Sequence, residues 1–168
     1  MKTENLALNG VVEGDNVGLE TGMLVGTAND KNVGTDKTAA ITGELNLTGA
    51  DAENYVLQNR DFNEVTVDIT AKELSIEGNI TAENKIYDGN ENVELKTGSL
   101  TLNGVVEGDN VELETGMLVG TTSDKNVGTG KTVTITGELN LTGTDAGNYV
   151  LQSYNFDGVT VDITAKEL

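Results

Sequence analysis

Carboxylates are the only side chains in this chain abundant enough to suggest chemistry. Glu107, Asp109 and Glu114 lie close together in the sequence, and two acids flanking a bond are the apparatus of glycoside hydrolysis. Nothing around them marks a cleft, however, and neighbouring acids are expected by chance in a protein with 28 Asp and Glu against 10 Lys and Arg. Asp124-Lys125-Asn126-Val127-Gly128 offers carboxylate and amide oxygens to a cation. Asp, Asn and Gly are also what tight turns demand, and Lys125 is an awkward neighbour for calcium. The spaced Asp-x-Asp-x-Asp-Gly order of a calcium loop is absent, so calcium held between several acidic turns, or near Glu73 and Glu77, stands only as the alternative to a solvated acidic surface. Tyr87-Asp88-Gly89 reads either as a recognition tip or as a tyrosine anchoring a sheet edge above an Asp-Gly turn, with the second preferred.

The absent residue types exclude more than the present ones suggest. Without Cys or His there are no thiol nucleophiles, Ser-His-Asp triads, zinc fingers, or haem or Fe–S ligands. An intramolecular Lys–Asn isopeptide bond would need a lysine, an asparagine and an acid converging in an apolar core; adjacent Lys125 and Asn126 cannot pair with each other, and no other partner stands out. No catalytic, cofactor-binding or metal-binding residue is therefore assigned, and the chain is not expected to be an enzyme. A net charge of −18 repels phosphate backbones, which argues against nucleic acid as a partner, and no apolar run reaches the ~20 residues of a membrane-crossing helix.

The elements that must carry these residues are strands. Val133, Ile135, Leu139 and Leu141 fall on every second position with Gly137 in step, which predicts one strand, or two joined at a kink, with one face buried. Val159, Val161 and Ile163 repeat the alternation, as do Val65, Val67 and Ile69; Tyr149 and Leu151 form a shorter piece. Glycine-bearing turns separate these pieces at Glu107-Gly108-Asp109-Asn110, at residues 124–128 and at Thr144-Asp145-Ala146-Gly147-Asn148. No helical period is sustained anywhere. Seven to nine short strands per unit are expected, a β-sandwich or barrel with a small core.

Residues 8–74 return without a gap as residues 102–168, a constant shift of 94 positions. A period that long implies a small domain per copy and a tandem array. Met1-Lys2-Thr3 lies where the second copy has Leu95-Lys96-Thr97, and residues 75–94 have no counterpart before the first copy. The expected domains are thus a unit at 1–73 lacking its opening strands and a complete unit at 74–168. Inward positions are odd-numbered at Val65, Val67 and Ile69 but even at Leu74, Ile76 and Ile80; this parity flip predicts a short, stiff hinge at Ala71-Lys72-Glu73, with a bulge in one continuous strand as the competing explanation. An opened first unit should expose a sheet edge, giving either disorder over residues 1–8 or pairing with a second chain. The copies differ at Ala28/Thr122, Asn29/Ser123 and Asp36/Gly130, and between Asn59-Arg60-Asp61 and Ser153-Tyr154-Asn155; Arg60 against Tyr154 argues against a binding site shared there.

Lys85-Ile86-Tyr87-Asp88-Gly89-Asn90, then Gly104-Val105-Val106-Glu107-Gly108-Asp109, Asp124-Lys125-Asn126-Val127-Gly128 and Asp145-Ala146-Gly147-Asn148-Tyr149 stand in the order of the YDG repeat domain of bacterial surface proteins. The chain resembles that family, which includes filamentous-haemagglutinin-like adhesins and other many-repeat surface proteins. It departs from the pattern in lacking Tyr-Asp-Gly in the first copy and in reading Ile-Thr-Ala-Lys where a proline would follow the threonine. The resemblance implies an exported, extracellular protein at the bacterial surface, repeated as a stalk or spacer that projects something outward; the strand spacing and the stiff hinge make the expected architecture tandem immunoglobulin-like β-sandwich units arranged as an elongated rod. Its expected partners are neighbouring repeats of the same chain, with host glycan or matrix protein, or a second copy met at the exposed edge, as the alternative; direct membrane insertion is not expected.

Overall fold

The computed structural model describes residues 6–58, 62 and 65–168. Among them the chain is all-β with no α-helix, and single 3-10 turns stand at Ala52–Asn54 and Ala146–Asn148. It forms two compact units, Met1–Thr70 and Ala71–Leu168. Residues 1–5 and 59–61 lie outside the described residues, and with them most of the N-terminal stretch and the Asn59-Arg60-Asp61 difference between the copies.

The first unit contains β1 (Gly18–Glu20), β2 (Val25–Ala28), β3 (Gly34–Thr42), β4 (Asn46–Thr48) and β5 (Thr66–Ile69). β1 pairs with β4, and β3 lies between β2 and β5, all antiparallel.

The second unit is richer than the seven to nine strands expected. It opens with β6 (Lys72–Glu77), β7 (Thr81–Ala82), β8 (Lys85–Ile86), β9 (Asn92–Val93), β10 (Leu95–Lys96) and β11 (Thr101–Asn103). It continues through β12 (Glu112–Glu114), β13 (Val119–Thr122), β14 (Gly128–Thr136), β15 (Asn140–Thr142), β16 (Tyr149–Leu151) and β17 (Thr160–Thr164). A five-stranded, barrel-like sheet has the order β8-β17-β14-β13-β9, and a three-stranded one the order β11-β6-β16. Two pairs, β7 with β10 and β12 with β15, complete the unit.

Two pairings in this unit, β6 with β16 and β8 with β17, are parallel. Parallel neighbours need long crossovers, so alternation within a strand cannot announce them. The parity flip marks a change of unit, since β5 closes the first and β6 opens the second. Lys72 and Glu73 are not hinge residues: they pair with Tyr149 and Val150 inside the second unit.

The alternating segment at 133–141 is two strands, β14 and β15, bent at Gly137. There the chain leaves one sheet and enters the other, and its partner makes the same crossing through the Thr115-Gly116-Met117-Leu118 turn, closed by Leu118 N–H donating to Thr115 O. β6 and β7 repeat the device at Gly78 against the Thr97-Gly98-Ser99-Leu100 turn. Both glycines have φ near +100°, and a Cβ on Gly78 would fall 2.1 Å from Ser99 O. Such sheet-switching corners let short strands enclose a core without helices.

That core is Ile80, Val93, Val133, Val159 and Val161, flanked by Leu95, Leu118, Ile135, Tyr154 and Phe156. Leu74 in β6 and Ile163 in β17 are also fully buried. The same residue types pack far less well in the first unit. Val67, the counterpart of Val161, is 40 % exposed against 1 %. The reason lies in partners: among the described residues, β2 and β5 end their sheet, whereas β13 and β17 are each covered by a further strand.

The Asp36/Gly130 difference falls on a bulge in β3 and β14, where φ is +51° and +59° respectively. The backbone N–H there donates to Asp68 in the first unit and to Asp162 in the second. Left-handed φ suits glycine; the aspartate accepts a cost of about 1 kcal/mol to keep the same bulge.

Candidate functional site

The motif residues converge on turns. At Tyr87-Asp88-Gly89-Asn90, Asp88 Oδ1 accepts from Asn90 N–H at 3.1 Å, an Asx turn, and from Lys85 Nζ at 2.9 Å. Lys85 reaches further, donating to the carbonyls of Asn90 and Asn92 at 2.9 and 2.7 Å and to Asn90 Oδ1 at 3.1 Å. The ammonium, mostly covered, is thus the hub of the loop.

The second motif turn has the same build. Asp124 Oδ1 accepts from Asn126 N–H at 2.8 Å and from Lys131 Nζ at 2.6 Å, and Lys131 also donates to Asn126 O. The first unit repeats it with Asp30, Asn32 and Lys37. In each turn an aspartate folds the backbone, and a lysine anchored on a neighbouring strand or turn holds the aspartate.

These bonds shift the carboxyls. Lysine hydrogen bonds first, and the backbone N–H bond next, hold Asp30, Asp88 and Asp124 below the ordinary value of 3.8. A folded-state value below the unfolded one favours folding above pH 3.8, and that contribution disappears as pH falls through the lowered folded values. Carboxyl titration by NMR is expected to place all three midpoints below 3.8, with Asp124 returning to the ordinary range in Lys131→Met. An unshifted Asp124 in the unsubstituted protein would remove the lysine lock as an explanation for the turn.

The other two motifs form one clasp. Tyr149 Oη donates to Asp109 Oδ2 at 2.6 Å and accepts from Val106 N–H at 3.1 Å. Asn110 N–H donates to Asp145 Oδ2 at 2.9 Å, Asn110 Oδ1 accepts from Thr144 N–H at 3.1 Å, and Asp145 N–H returns to Asn110 O. Tyr55, Asp15, Asn16 and Asp51 make the same clasp in the first unit, where the Asp15 hydrogen bond raises the Tyr55 hydroxyl above its ordinary value.

The sequence-derived candidates can now be placed. Of the acids Glu107, Asp109 and Glu114, Asp109 is bonded to Tyr149, and the two glutamates are exposed on a turn and on β12. Glu73 accepts from Gln152 Nε2 and Glu77 from Asn103 Nδ2. Lys125 is exposed, and Tyr87 follows β8, its N–H donating to Thr164 O. Among the described residues no three acidic side chains converge to hold a metal ion. Sequence reasoning missed Lys85 and Lys131; the available signal was an Asp-x-Asn triplet with a lysine three residues before it or five after it.

Hollows occur in both units: in the second, one of about 450 Å³ lies over Leu95 and Leu118 and one of about 400 Å³ beside Tyr87 and Asn126, and in the first there are two larger ones. One groove of about 670 Å³ runs between residues 6–11 and 55–58 over Leu19, Leu45 and Leu47. Another, of about 710 Å³, is lined by Leu24, Ala39, Ile41, Val65, Val67 and Ile69.

Two units of short strands, with acidic and amide side chains spent on holding turns, define a class of small all-β repeat. The YDG domain family matches residues 1–62 and 70–156, and the chain belongs to that family. No curated protein and no solved structure matches it.

Proposed function

We propose that the chain is a non-catalytic structural repeat of a bacterial cell-surface protein, a spacer that presents a more distal adhesive region. The observation that carries this reading is where the motif side chains are used. Asp88, Asp109, Asp124, Asn110 and Asp145 all bond to backbone or to a neighbouring motif residue within their own unit, and the same bonds recur in the first copy wherever the sequence does. Residues kept to make a unit fold serve length and presentation.

In this reading the units are sandwich-like and strung end to end as a rod, and the charge of −18 keeps neighbouring stalks apart. Small-angle scattering at low protein concentration is expected to report an elongated particle, and glycan arrays no reproducible signal. Calcium is expected to leave the melting temperature unchanged, because an ion bound only by the folded state would raise it. A globular scattering profile, or an array signal lost on substituting exposed turn residues, would replace the spacer with a binding module.

A further inference from the structure

Two strand pairs decide how the second unit meets a pull along the chain. The chain enters this unit at Ala71, directly ahead of β6, and the last strand of the unit, β17, ends at Thr164. Tension along the backbone therefore acts on β6 from its N-terminal end and on β17 from its C-terminal end.

What that tension does depends on strand direction. In a parallel pair the earlier strand is pulled from its N-terminal end and the later one from its C-terminal end. These lie at opposite ends of the pair, so all the hydrogen bonds between the strands are loaded at once. An antiparallel pair is gripped at one end only, and its bonds open one after another.

Both parallel pairs of the unit join an early strand to a late one. Lys72, Glu73 and Leu74 of β6 run beside Tyr149, Val150 and Leu151 of β16, and Gln152 N–H extends the ladder by donating to Leu74 O at 2.9 Å. Lys85 and Ile86 of β8 run beside Ile163 and Thr164 of β17. This short pair is lengthened at both ends: Asp162 N–H donates to Asn84 Oδ1 at 2.8 Å, and Tyr87 N–H to Thr164 O at 2.8 Å. Val161 and Ile163, each 1 % exposed, seat β17 in the core.

Lys85 spreads the load further. β8 and β9 are the two edges of the five-stranded sheet, and the Lys85 ammonium on β8 donates to the carbonyls of Asn90 and of Asn92 in β9. β9 is in turn paired with β13. The ammonium thus ties one edge of the sheet to the other, and a pull on β8 is shared across its strands.

We infer that β6–β16 and β8–β17 form a mechanical clamp, with Lys85 and its Tyr-Asp-Gly turn as the cross-link, and that the unit is built to hold under tension. The purpose of the clamp rests on the spacer reading, because a stalk under load needs units that stay folded. Forced unfolding follows the rate of crossing the barrier and not the depth of the well, so a small core is no obstacle.

The test is force spectroscopy on the full chain through pairs of introduced thiols, which are the only ones present because the protein has no cysteine. Thr70→Cys with Lys166→Cys loads both parallel pairs in shear. Glu91→Cys with Lys166→Cys grips β8 and β17 from the same side, so that they unzip. All three positions are exposed. Expected is a several-fold higher unfolding force in the first direction, in one event that releases about 300 Å of chain. Lys85→Met should lower that force more than Lys131→Met, which removes the matching lock from the turn between antiparallel β13 and β14. Equal forces in the two directions, or equal losses in the two lysine variants, would overturn the inference even if scattering reports a rod. A direction-dependent force together with a globular scattering profile would instead retire the spacer and leave the clamp standing.

Discussion

Gly137→Ala is expected to destabilise the second unit by about 3–5 kcal/mol, most of what a domain of this size has to lose. Two costs act together. At φ +102° an L residue is strained, and a Cβ placed there would stand 2.2 Å from Met117 O and 3.2 Å from the Leu118 Cα. The obstructing atoms are backbone, held by the Thr115–Leu118 turn and by the β12 and β13 ladders, so they cannot yield without opening one sheet or the other. Gly116→Ala, one turn away, is the control: its added methyl meets nothing within 4 Å, and its effect should stay within about 0.5 kcal/mol. Urea unfolding followed by circular dichroism, with amide exchange resolving β13 and β14, measures both. Equal midpoints for the two variants would mean that the corner at Gly137 is not a constraint on the fold.

Leu74→Ala is expected to cost about 2–5 kcal/mol, the range for emptying a fully buried leucine site. The neighbouring chain is poorly placed to collapse into the space. Gly104, 3.4 Å from a Leu74 methyl through its built Cβ, has no side chain to offer, and β6 is clamped by a parallel neighbour on one edge and an antiparallel one on the other. The amides of β11 and β16 should lose exchange protection before those of the five-stranded sheet. A loss below about 0.5 kcal/mol would make β6 a peripheral strand. Leu168→Ala changes the same residue in the same local sequence, yet it should leave the stability of the monomer unaltered because Leu168 is already in water.

Much of the architecture is legible without coordinates. Alternation at Val133, Ile135, Leu139 and Leu141 announces strands, because side-chain period is a local property, but it leaves one strand and two kinked ones open, and the structure decides for two, bent at Gly137. The parity change between Ile69 and Leu74 separates β5 from β6 for the same reason. The order of the four motifs identifies the family. What they do is not legible, because the clasp between Asn110 and Asp145 and the bond from Tyr149 to Asp109 join residues 35 and 40 positions apart. The lysine locks are local, but they look like ordinary charge until Lys131 is seen closing across the hairpin onto Asp124. The parallel pairings join residues nearly 80 apart and leave no trace in either strand alone.

The segment Ile-Thr-Ala-Lys-Glu-Leu measures what sequence by itself determines. It occurs twice, and both times it ends one run of alternating residues, as the local pattern requires. Only the tertiary structure decides that Leu74 is sealed in a core, by setting it beside Leu151, 77 positions away. A strand has no internal hydrogen bonds and buries nothing unless neighbours lie beside it. Residues 72–74 find Tyr149, Val150 and Leu151 alongside, and nothing within residues 69–74 themselves announces those partners.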